Sequence, residues 1–212
     1  MRDKIVDYMI KNNMFSQKQH GFVPSRNCMT NLLACMEKWT DLIEKGLSID
    51  VIYTDFAKAF DRVPHQRLLH KMKKLGITGI THRWVGAFLQ GRRQRVRVEE
   101  EFSSWGPVKS GILQGSVMGP LLFVMFINDR PDMIDSMCLL FADDAKVYRA
   151  IASQVDKEIL QRDLDKLTEW SVTWQLPFNV DKCKILHIVT KNEHCIYNMS
   201  EKCLEQVKQE KI

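Results

Sequence analysis

The sequence lacks the features that mark membrane, secreted and zinc-binding proteins. No apolar run approaches the ~20 residues that a membrane-spanning helix needs, and charges near the first methionine replace the apolar stretch of a signal peptide. The six cysteines form no CxxC pair, the spacing of zinc ribbons and thioredoxin-type sites. We therefore expect a soluble intracellular protein with reduced thiols, in nucleus or cytoplasm, without a membrane partner. A loose group near the end leaves one metal hypothesis open: His187, His194, Cys195 and Cys203.

The composition supports a folded core and an anionic partner. The chain has 212 residues, of which 45% are hydrophobic, enough for one domain or for one domain plus part of another. Lys and Arg exceed Asp and Glu by 31 to 26, giving a net charge of +5. This basic balance suits nucleic acid, although an ordinary solvated surface explains it equally well. Composition predicts no particular protein partner.

Hydrophobic periodicity predicts helices interleaved irregularly with a few strands. The predicted helices cover 2–14, 27–45, 66–75, 80–89, 120–128 and 154–176. The predicted strands cover 49–55, 95–99, 137–141, 145–148 and 184–189. Strands and helices do not alternate strictly, so the predicted fold class is α+β: an antiparallel sheet with helices packed on one face.

An apolar segment, 139–142, runs directly into the paired acids Asp143 and Asp144. A buried strand seldom ends in two charges without an ion or a basic partner, although acid pairs also occur in ordinary turns. In a hairpin bend, at least one of the two can converge with Asp55 at the end of the strand 49–55. Carboxylates are the ligands of hard cations, so the three acids predict a site for two Mg²⁺ ions.

Six short segments carry a family resemblance, and they follow one another in a fixed order. FADD at 141–144 resembles a polymerase catalytic signature, DFAKAFD at 55–61 a first motif, and SGILQGSVMGPLLF at 110–123 a second. QHGF at 19–22, GRRQRV at 91–96 and FNVDKCK at 178–184 match the remaining blocks. Together, over nearly the whole chain, they resemble the reverse transcriptases of non-LTR (LINE-type, jockey-like) retrotransposons.

The resemblance implies an RNA-directed DNA polymerase of a mobile element. It implies two Mg²⁺ ions, with Mn²⁺ possible, and as partners an RNA template, a DNA primer and deoxynucleoside triphosphates. It also implies a polymerase palm with partial fingers. Lead-in helices would occupy 1–48, the palm core 49–190 with a fingers-like excursion at about 66–112, and the approach to a primer grip 191–212.

By the same resemblance, four residues are catalytic. Asp55, Asp143 and Asp144 correspond to the metal-binding acids, and Asp143 to the more critical of the adjacent pair. Lys182 corresponds to a lysine that assists protonation of the leaving pyrophosphate. Without the resemblance, a lone lysine would be read as solvated surface.

Four further residues are assigned to substrate binding. Phe60 corresponds to the aromatic gate that disfavours a 2′-hydroxyl, the group that separates RNA from DNA precursors. Gln114 and Gly115 correspond to a segment that contacts nucleotide and template, and Phe141 lies in the catalytic signature. Taken alone, Phe60 could be a core residue and Gly115 plain turn chemistry.

A basic stretch is assigned to nucleic-acid binding. Arg93, Arg95 and Arg97 alternate, so on a strand they would share one side. Such a stripe suits a phosphate backbone and gives affinity without sequence preference. A solvated strand face is the alternative.

The sequence departs from the family pattern at one position and at both ends. Leu113 stands where the family has proline before Gln-Gly. The family's upstream fingers block, its thumb and an endonuclease domain have no counterpart in these residues. The alternative function is therefore an inactive or co-opted remnant that at most binds nucleic acid. A metal-dependent nuclease or cyclase is a third reading, against which the Gln-Gly and Phe-Asp motifs argue.

Overall fold

Helices and strands follow one another without regular alternation in the computed structural model, which describes residues 1–188 and 192–209. The helices are α1 (Arg2–Lys11), α2 (Cys28–Glu44), α3 (Ala59–Arg62), α4 (His65–Lys74), α5 (Gly79–Leu89), α6 (Gly119–Ile127) and α7 (Gln154–Trp174). The strands are β1 (Ser48–Thr54), β2 (Arg93–Gln94), β3 (Arg97–Val98), β4 (Glu101–Phe102), β5 (Gly106–Pro107), β6 (Met137–Phe141), β7 (Asp144–Ile151), β8 (Lys184–Ile188), β9 (Asn198–Met199), β10 (Lys202–Cys203) and β11 (Glu205–Val207).

The chain divides into two units. The first unit contains Met1–Met14 and Lys58–Phe126, and the second contains Phe15–Ala57 and Ile127–Ile212. The first unit holds α1, α3 to α5, β2 to β5 and nearly all of α6, and the second holds α2, α7, β1 and β6 to β11. The predicted bounds of fingers, palm and lead-in, at 1–48, 49–190 and 191–212, stay predictions.

The second unit is built on a five-stranded sheet in the order β11-β8-β1-β7-β6. Neighbouring strands are antiparallel, except that β11 runs parallel to β8 at the edge. Val51 of the central strand β1 lies opposite Tyr148 of β7 and Leu186 of β8. The predicted α+β class with an antiparallel sheet is confirmed.

Helices cover both faces of this sheet, whereas the sequence predicted one covered face. On one face, Trp39 of α2 belongs to a buried cluster with Val51. On the other, Arg149 of β7 donates to Asp156 near the start of α7, at 3.1 Å. The reason lies in β1, where Val51 and its neighbour Ile52 point to opposite faces and are both fully buried. A strand that is apolar on both faces needs cover on both.

A buried carboxylate ties the sheet to the tail. Asp50 accepts hydrogen bonds from His187 Nδ1 at 2.6 Å, Asn192 Nδ2 at 2.7 Å and the Tyr197 hydroxyl at 2.7 Å. Burial raises the pKa of Asp50, but these hydrogen bonds outweigh it and leave the pKa below its ordinary value. The network therefore keeps a charge inside the unit, and it anchors residues that the sequence left without a predicted structure.

In the first unit, Gly111 and Ile112 of the second motif are hydrogen-bonded to the backbone around the end of the first motif. The amide of Gly111 donates to the carbonyl of Val63 at 2.9 Å, and the amide of Ile112 donates to the carbonyl of Phe60 at 2.8 Å. The carbonyl of Gly111 also accepts from His65 Nε2 at 2.8 Å. The backbone at Gly111 is therefore held on both sides.

Most predicted elements are confirmed to within a few residues. The predicted strand 95–99 is wrong, since β2 and β3 are separate strands and Glu99 turns the chain with a φ of 54°. The short strands β9 to β11 were not predicted, because the tail has no clear periodicity. The predicted end of the last strand at Val189 lies outside the described residues. Across 1–188 and 192–209, no helix is long and apolar enough to cross a membrane.

Candidate active site

The paired acids lie at a tight hairpin between β6 and β7, as predicted. Phe141 pairs with Asp144, so the turn consists of Ala142 and Asp143. Asp144 is the first residue of β7 rather than part of the bend. Ala142 takes a φ of 54°, in the left-handed region. The apolar run up to Phe141 forms β6, which explains why the sequence predicted this hairpin so well.

Asp55 follows the last residue of β1 and faces the same hairpin. Thr54 and Ala145 form the last pair between β1 and β7, so Asp55 and Asp144 lie next to this pair at the same edge of the sheet. The carbonyl of Asp55 accepts from the amide of Asn179 at 2.8 Å, which fixes the strand end. Asp55 therefore lies near both paired acids, since its charge acts on Asp143 and on Asp144.

The electrostatics of these acids reflect their crowding. Partial burial raises the pKa of Asp143, and the charge of Asp55 raises it further. Partial burial, followed by the charges of Asp143 and Asp55, also raises the pKa of Asp144. Neutralising a charge at this edge, by a proton or by a cation, is therefore favourable.

A cavity of about 420 Å³ opens beside the two strand ends. Asp55, Phe141, Asp144 and Lys182 line it, which brings four of the predicted site residues together. Lys182 Nζ lies 3.3 Å from Asp55 Oδ2, and its side chain is 70% exposed. Asp143 is not among the lining residues, since it belongs to the turn.

Sequence reasoning missed a buried cation next to the acids. Arg130 is fully buried, and its guanidinium lies over the rings of Phe56 and Phe178, 4.9 Å and 5.8 Å from their centroids. Its Nη2 donates to the Thr54 hydroxyl at 3.4 Å, while Nε and Nη1 have no hydrogen-bond partner among the described residues. Burial lowers the pKa of Arg130, and the charge of Arg130 offsets part of the rise in the pKa of Asp143. No sequence signal marked it, because an arginine after an apolar helix is normally solvated.

The donor chemistry suits a hard cation, although no closed ligand set is assembled. Within the described ranges, no group of three or more His, Cys, Asp or Glu side chains could hold a metal ion. This also covers the loose group of histidines and cysteines near the end, so the metal hypothesis for that group gains no support. The carboxylates of Asp55, Asp143 and Asp144 nevertheless repel one another and offer the oxygen ligands that Mg²⁺ prefers. The two-ion site stays a prediction.

Three predicted substrate-binding residues belong to the first unit. The half-buried Phe60 stacks on Phe123 of α6, with ring centroids 4.6 Å apart. Gln114 and Gly115 form an exposed turn in which Gly115 has a φ of 77°. Leu113, which stands at the family's proline, is half-exposed in the same turn. Phe60 is thus partly a packing residue, and Gly115 does serve turn geometry.

The three predicted nucleic-acid arginines gather around two exposed aromatic rings instead of lining one strand. The guanidinium of Arg95 lies 3.8 Å from the Phe102 centroid and 4.8 Å from that of Trp105. Arg97 lies over Phe102 as well, at 5.5 Å, and Arg93 donates to the carbonyl of Trp105 at 3.4 Å. Arg93 also lines a neighbouring groove of about 770 Å³, together with four basic residues that sequence reasoning did not assign to binding: Lys58, Arg62, Arg92 and Lys109.

Sequence comparisons point to one family. A family profile described as reverse transcriptase (RNA-dependent DNA polymerase) matches residues 1–211. The chain is 32% identical over 152 residues to the RNA-directed DNA polymerase from mobile element jockey of Drosophila melanogaster, a match covering 68% of this chain and 16% of the relative. The jockey polymerase of Drosophila funebris is 31% identical over 152 residues, with the same 68% and 16% coverage.

A solved structure shows a similar fold. It is apo telomerase from Candida tropicalis truncated from the C-terminal domain, with a TM-score of 0.64 and 11% sequence identity. The similarity covers 92% of this chain and 40% of that chain. At this identity the likeness concerns the fold alone.

Proposed function

Because the chain belongs to the reverse transcriptase (RNA-dependent DNA polymerase) family, we propose that it is the polymerase core of a LINE-type mobile element. In this proposal, the chain extends a DNA primer with deoxynucleotides copied from an RNA template. One observation carries the proposal: Asp55 follows the end of β1 beside the hairpin of Asp143 and Asp144, close enough for its charge to raise the pKa of both.

In the proposed reaction, Asp55, Asp143 and Asp144 would hold two Mg²⁺ ions, or Mn²⁺ in their place. The raised pKa values of Asp143 and Asp144 support this role, because a cation relieves the repulsion between crowded carboxylates. Divalent ions are what the reverse transcriptase family generally uses. The chemistry that such ions supply is activation of the primer hydroxyl and neutralisation of charge on the leaving pyrophosphate.

Lys182 is proposed to hold the proton that the pyrophosphate receives. Its ammonium contacts Asp55 at 3.3 Å on the rim of the cavity. Because the lysine end of this pair is exposed, the pair adds little to stability, and the side chain can leave Asp55 when a phosphate approaches. Its contact with Asp55 supports a position beside the reacting groups.

Substrate selection is proposed to involve four residues. The ring of Phe60, fixed by stacking on Phe123, would exclude a 2′-hydroxyl. The exposed turn of Gln114 and Gly115 would offer backbone and amide groups to nucleotide and template. Phe141 would supply an apolar wall of the cavity beside Asp144.

Nucleic-acid binding is proposed for Arg93, Arg95 and Arg97. The three arginines are exposed residues, and the exposed rings of Phe102 and Trp105 lie among them. Cations interleaved with aromatic rings suit single-stranded nucleic acid, since phosphates meet the charges and bases stack on the rings. Binding should therefore weaken steeply as salt rises.

Primer extension tests the proposal. The chain would be incubated with an RNA template, a DNA primer, deoxynucleotides and Mg²⁺ or Mn²⁺, and extended primer would be measured. We expect incorporation that disappears in Asp143→Ala and persists in Asp132→Ala, which removes an exposed aspartate of the same unit. Equal signal in wild type and Asp143→Ala would indicate contamination. No incorporation in any variant would favour the remnant.

A further inference from the structure

The side-chain amide of Gln19 is buried against the turn that carries Asp143. Gln19 is only 1% exposed. Its Oε1 accepts from the amide of Ala142 at 3.0 Å and from that of Gly21 at 2.7 Å. Its Nε2 donates to the carbonyl of Ala142 at 3.2 Å. One side chain therefore binds both main-chain polar groups of Ala142.

Ala142 needs such a partner. It is buried, and as a turn residue it lies outside the paired residues of β6 and β7. A buried amide or carbonyl without a hydrogen bond is costly. Its left-handed backbone is also disfavoured for any residue with a Cβ. The hydrogen bonds of Gln19 satisfy the amide and carbonyl of Ala142, and they hold its backbone in the left-handed conformation.

The backbone around Gln19 follows β6 closely. The amide of Leu140 donates to the carbonyl of Lys18 at 2.8 Å, and the amide of His20 donates to the carbonyl of Leu140 at 2.9 Å. A Cβ on Gly21 would lie 2.2 Å from the nitrogen of Ala142, so no larger residue fits there without movement. Residues 18–21 thus form a brace along the strand that leads into the turn.

A second buried side-chain amide, that of Asn31, also binds this hairpin. Asn31 Nδ2 donates to the carbonyl of Leu140 at 3.1 Å, and its Oδ1 accepts from Lys146 Nζ at 2.8 Å. Asn31 therefore links β6 to β7, while Gln19 holds the turn between them. Two side chains that take no part in the strand ladder satisfy polar groups of the hairpin.

We propose that Gln19 is a positioning residue for Asp143. The carbonyl of Ala142 and the amide of Asp143 belong to one planar peptide group. By fixing that carbonyl, Gln19 sets the orientation of the plane, and with it the direction in which the Asp143 side chain leaves the backbone. The inference rests on the proposed function, because it assigns the orientation of Asp143 to the nucleotidyl-transfer reaction.

Hydrogen exchange in the full chain tests the brace without any need for activity. Gln19→Met removes both hydrogen-bonding groups at similar volume. We expect the amides of Gly21 and Ala142 to exchange about tenfold faster or more, because their acceptor is lost. Gln66→Met, the same change at an exposed position of α4, should leave these rates unchanged. Gln19→Glu should restore protection only at acidic pH, where the protonated carboxyl has both an acceptor and a donor oxygen; as a carboxylate it would face the carbonyl oxygen of Ala142 without a proton to donate.

Metal binding and kinetics test the effect on Asp143. Paramagnetic resonance of free Mn²⁺ gives the affinity, and primer extension gives kcat and KM. Gln19→Met should weaken Mn²⁺ binding and lower kcat about tenfold, with KM for deoxynucleotides little changed. A merely structural role would reduce the folded fraction and leave the Mn²⁺ affinity of the folded chain intact.

The outcomes separate the two proposals. Exchange and Mn²⁺ affinity in Gln19→Met equal to those in Gln66→Met would overturn the role of Gln19. A wild-type chain that neither binds Mn²⁺ nor extends a primer would overturn the proposed function, and with it any role of Gln19 in the reaction. Faster exchange together with weaker Mn²⁺ binding supports both.

Discussion

Gly111 and Gly115 offer a matched test of how tightly the second motif is packed. Both have positive φ, 87° and 77°. A Cβ on Gly111 would lie 2.6 Å from the carbonyl oxygen of Asp61 and 2.8 Å from its Cα, whereas a Cβ on Gly115 meets nothing within 4 Å. The backbone of Gly111 cannot easily retreat, since its amide and the next one are bonded to Val63 and Phe60.

The expected magnitudes follow from these distances. Alanine in the left-handed region costs about 1–2 kcal/mol at either glycine, partly offset by about 0.4–1 kcal/mol from a less flexible unfolded chain. Gly111→Ala adds the strain of overpacking against backbone, about 1–3 kcal/mol. Gly115→Ala should therefore lower the free energy of unfolding by about 1 kcal/mol, and Gly111→Ala by about 2–4 kcal/mol.

Urea unfolding of the two variants measures this difference, with thermal melting as a second probe. For a chain of this size, each kcal/mol corresponds to a fall in melting temperature of about 2–4 °C. Equal destabilisation by the two alanines would refute the reasoning, because it would mean that the carbonyl of Asp61 does not confine Gly111.

Four further outcomes are expected. Mg²⁺ at a hundredfold excess over its Kd should stabilise the fold by about 2.7 kcal/mol, and thermal melts should show no such shift in Asp143→Asn. Burial and repulsion raise the pKa of Asp143 in the folded chain above its ordinary 3.8, so ionising this carboxyl as the pH rises lowers the free energy of unfolding. With a chelator present, urea unfolding should therefore find Asp143→Asn as stable as wild type below about pH 3.8 and more stable than wild type at neutral pH. Asp50→Ala leaves three buried donors without their acceptor, and denaturant titration should record a loss of about 3–5 kcal/mol. Phe60→Val should raise the use of ribonucleotides relative to deoxynucleotides by about tenfold or more in primer extension, and an unchanged ratio would remove Phe60 from substrate selection.

The candidate site could be predicted from sequence where local pattern determines structure. The apolar run before Asp143 forms β6, and the β-branched run before Asp55 forms β1, so strand ends carrying acids followed from periodicity alone. The helix boundaries followed in the same way, as at Asn27, whose side chain accepts from the amide of Thr30 in a capping box.

Contacts between distant segments could not be predicted in this way. Nothing in the pattern around Arg130 indicates that its guanidinium is buried over two aromatic rings. The strand predicted at 95–99 failed because alternation also occurs in a short hairpin, where Glu99 turns the chain. The tail residues Asn192 and Tyr197 are ordered by a carboxylate more than a hundred positions away, at Asp50.

The brace at Gln19 has a consequence for the time at which the site forms. Gln19 and Ala142 are 123 positions apart in the chain. At a synthesis rate of about 5–20 residues per second, Ala142 is made roughly 6–25 s after Gln19. During that interval Gln19 has no Ala142 to bind, and β1 precedes both of its neighbours in the sheet, β7 and the still later β8. The turn of Ala142 and Asp143 is therefore completed only after the residues of every helix of the first unit have been made.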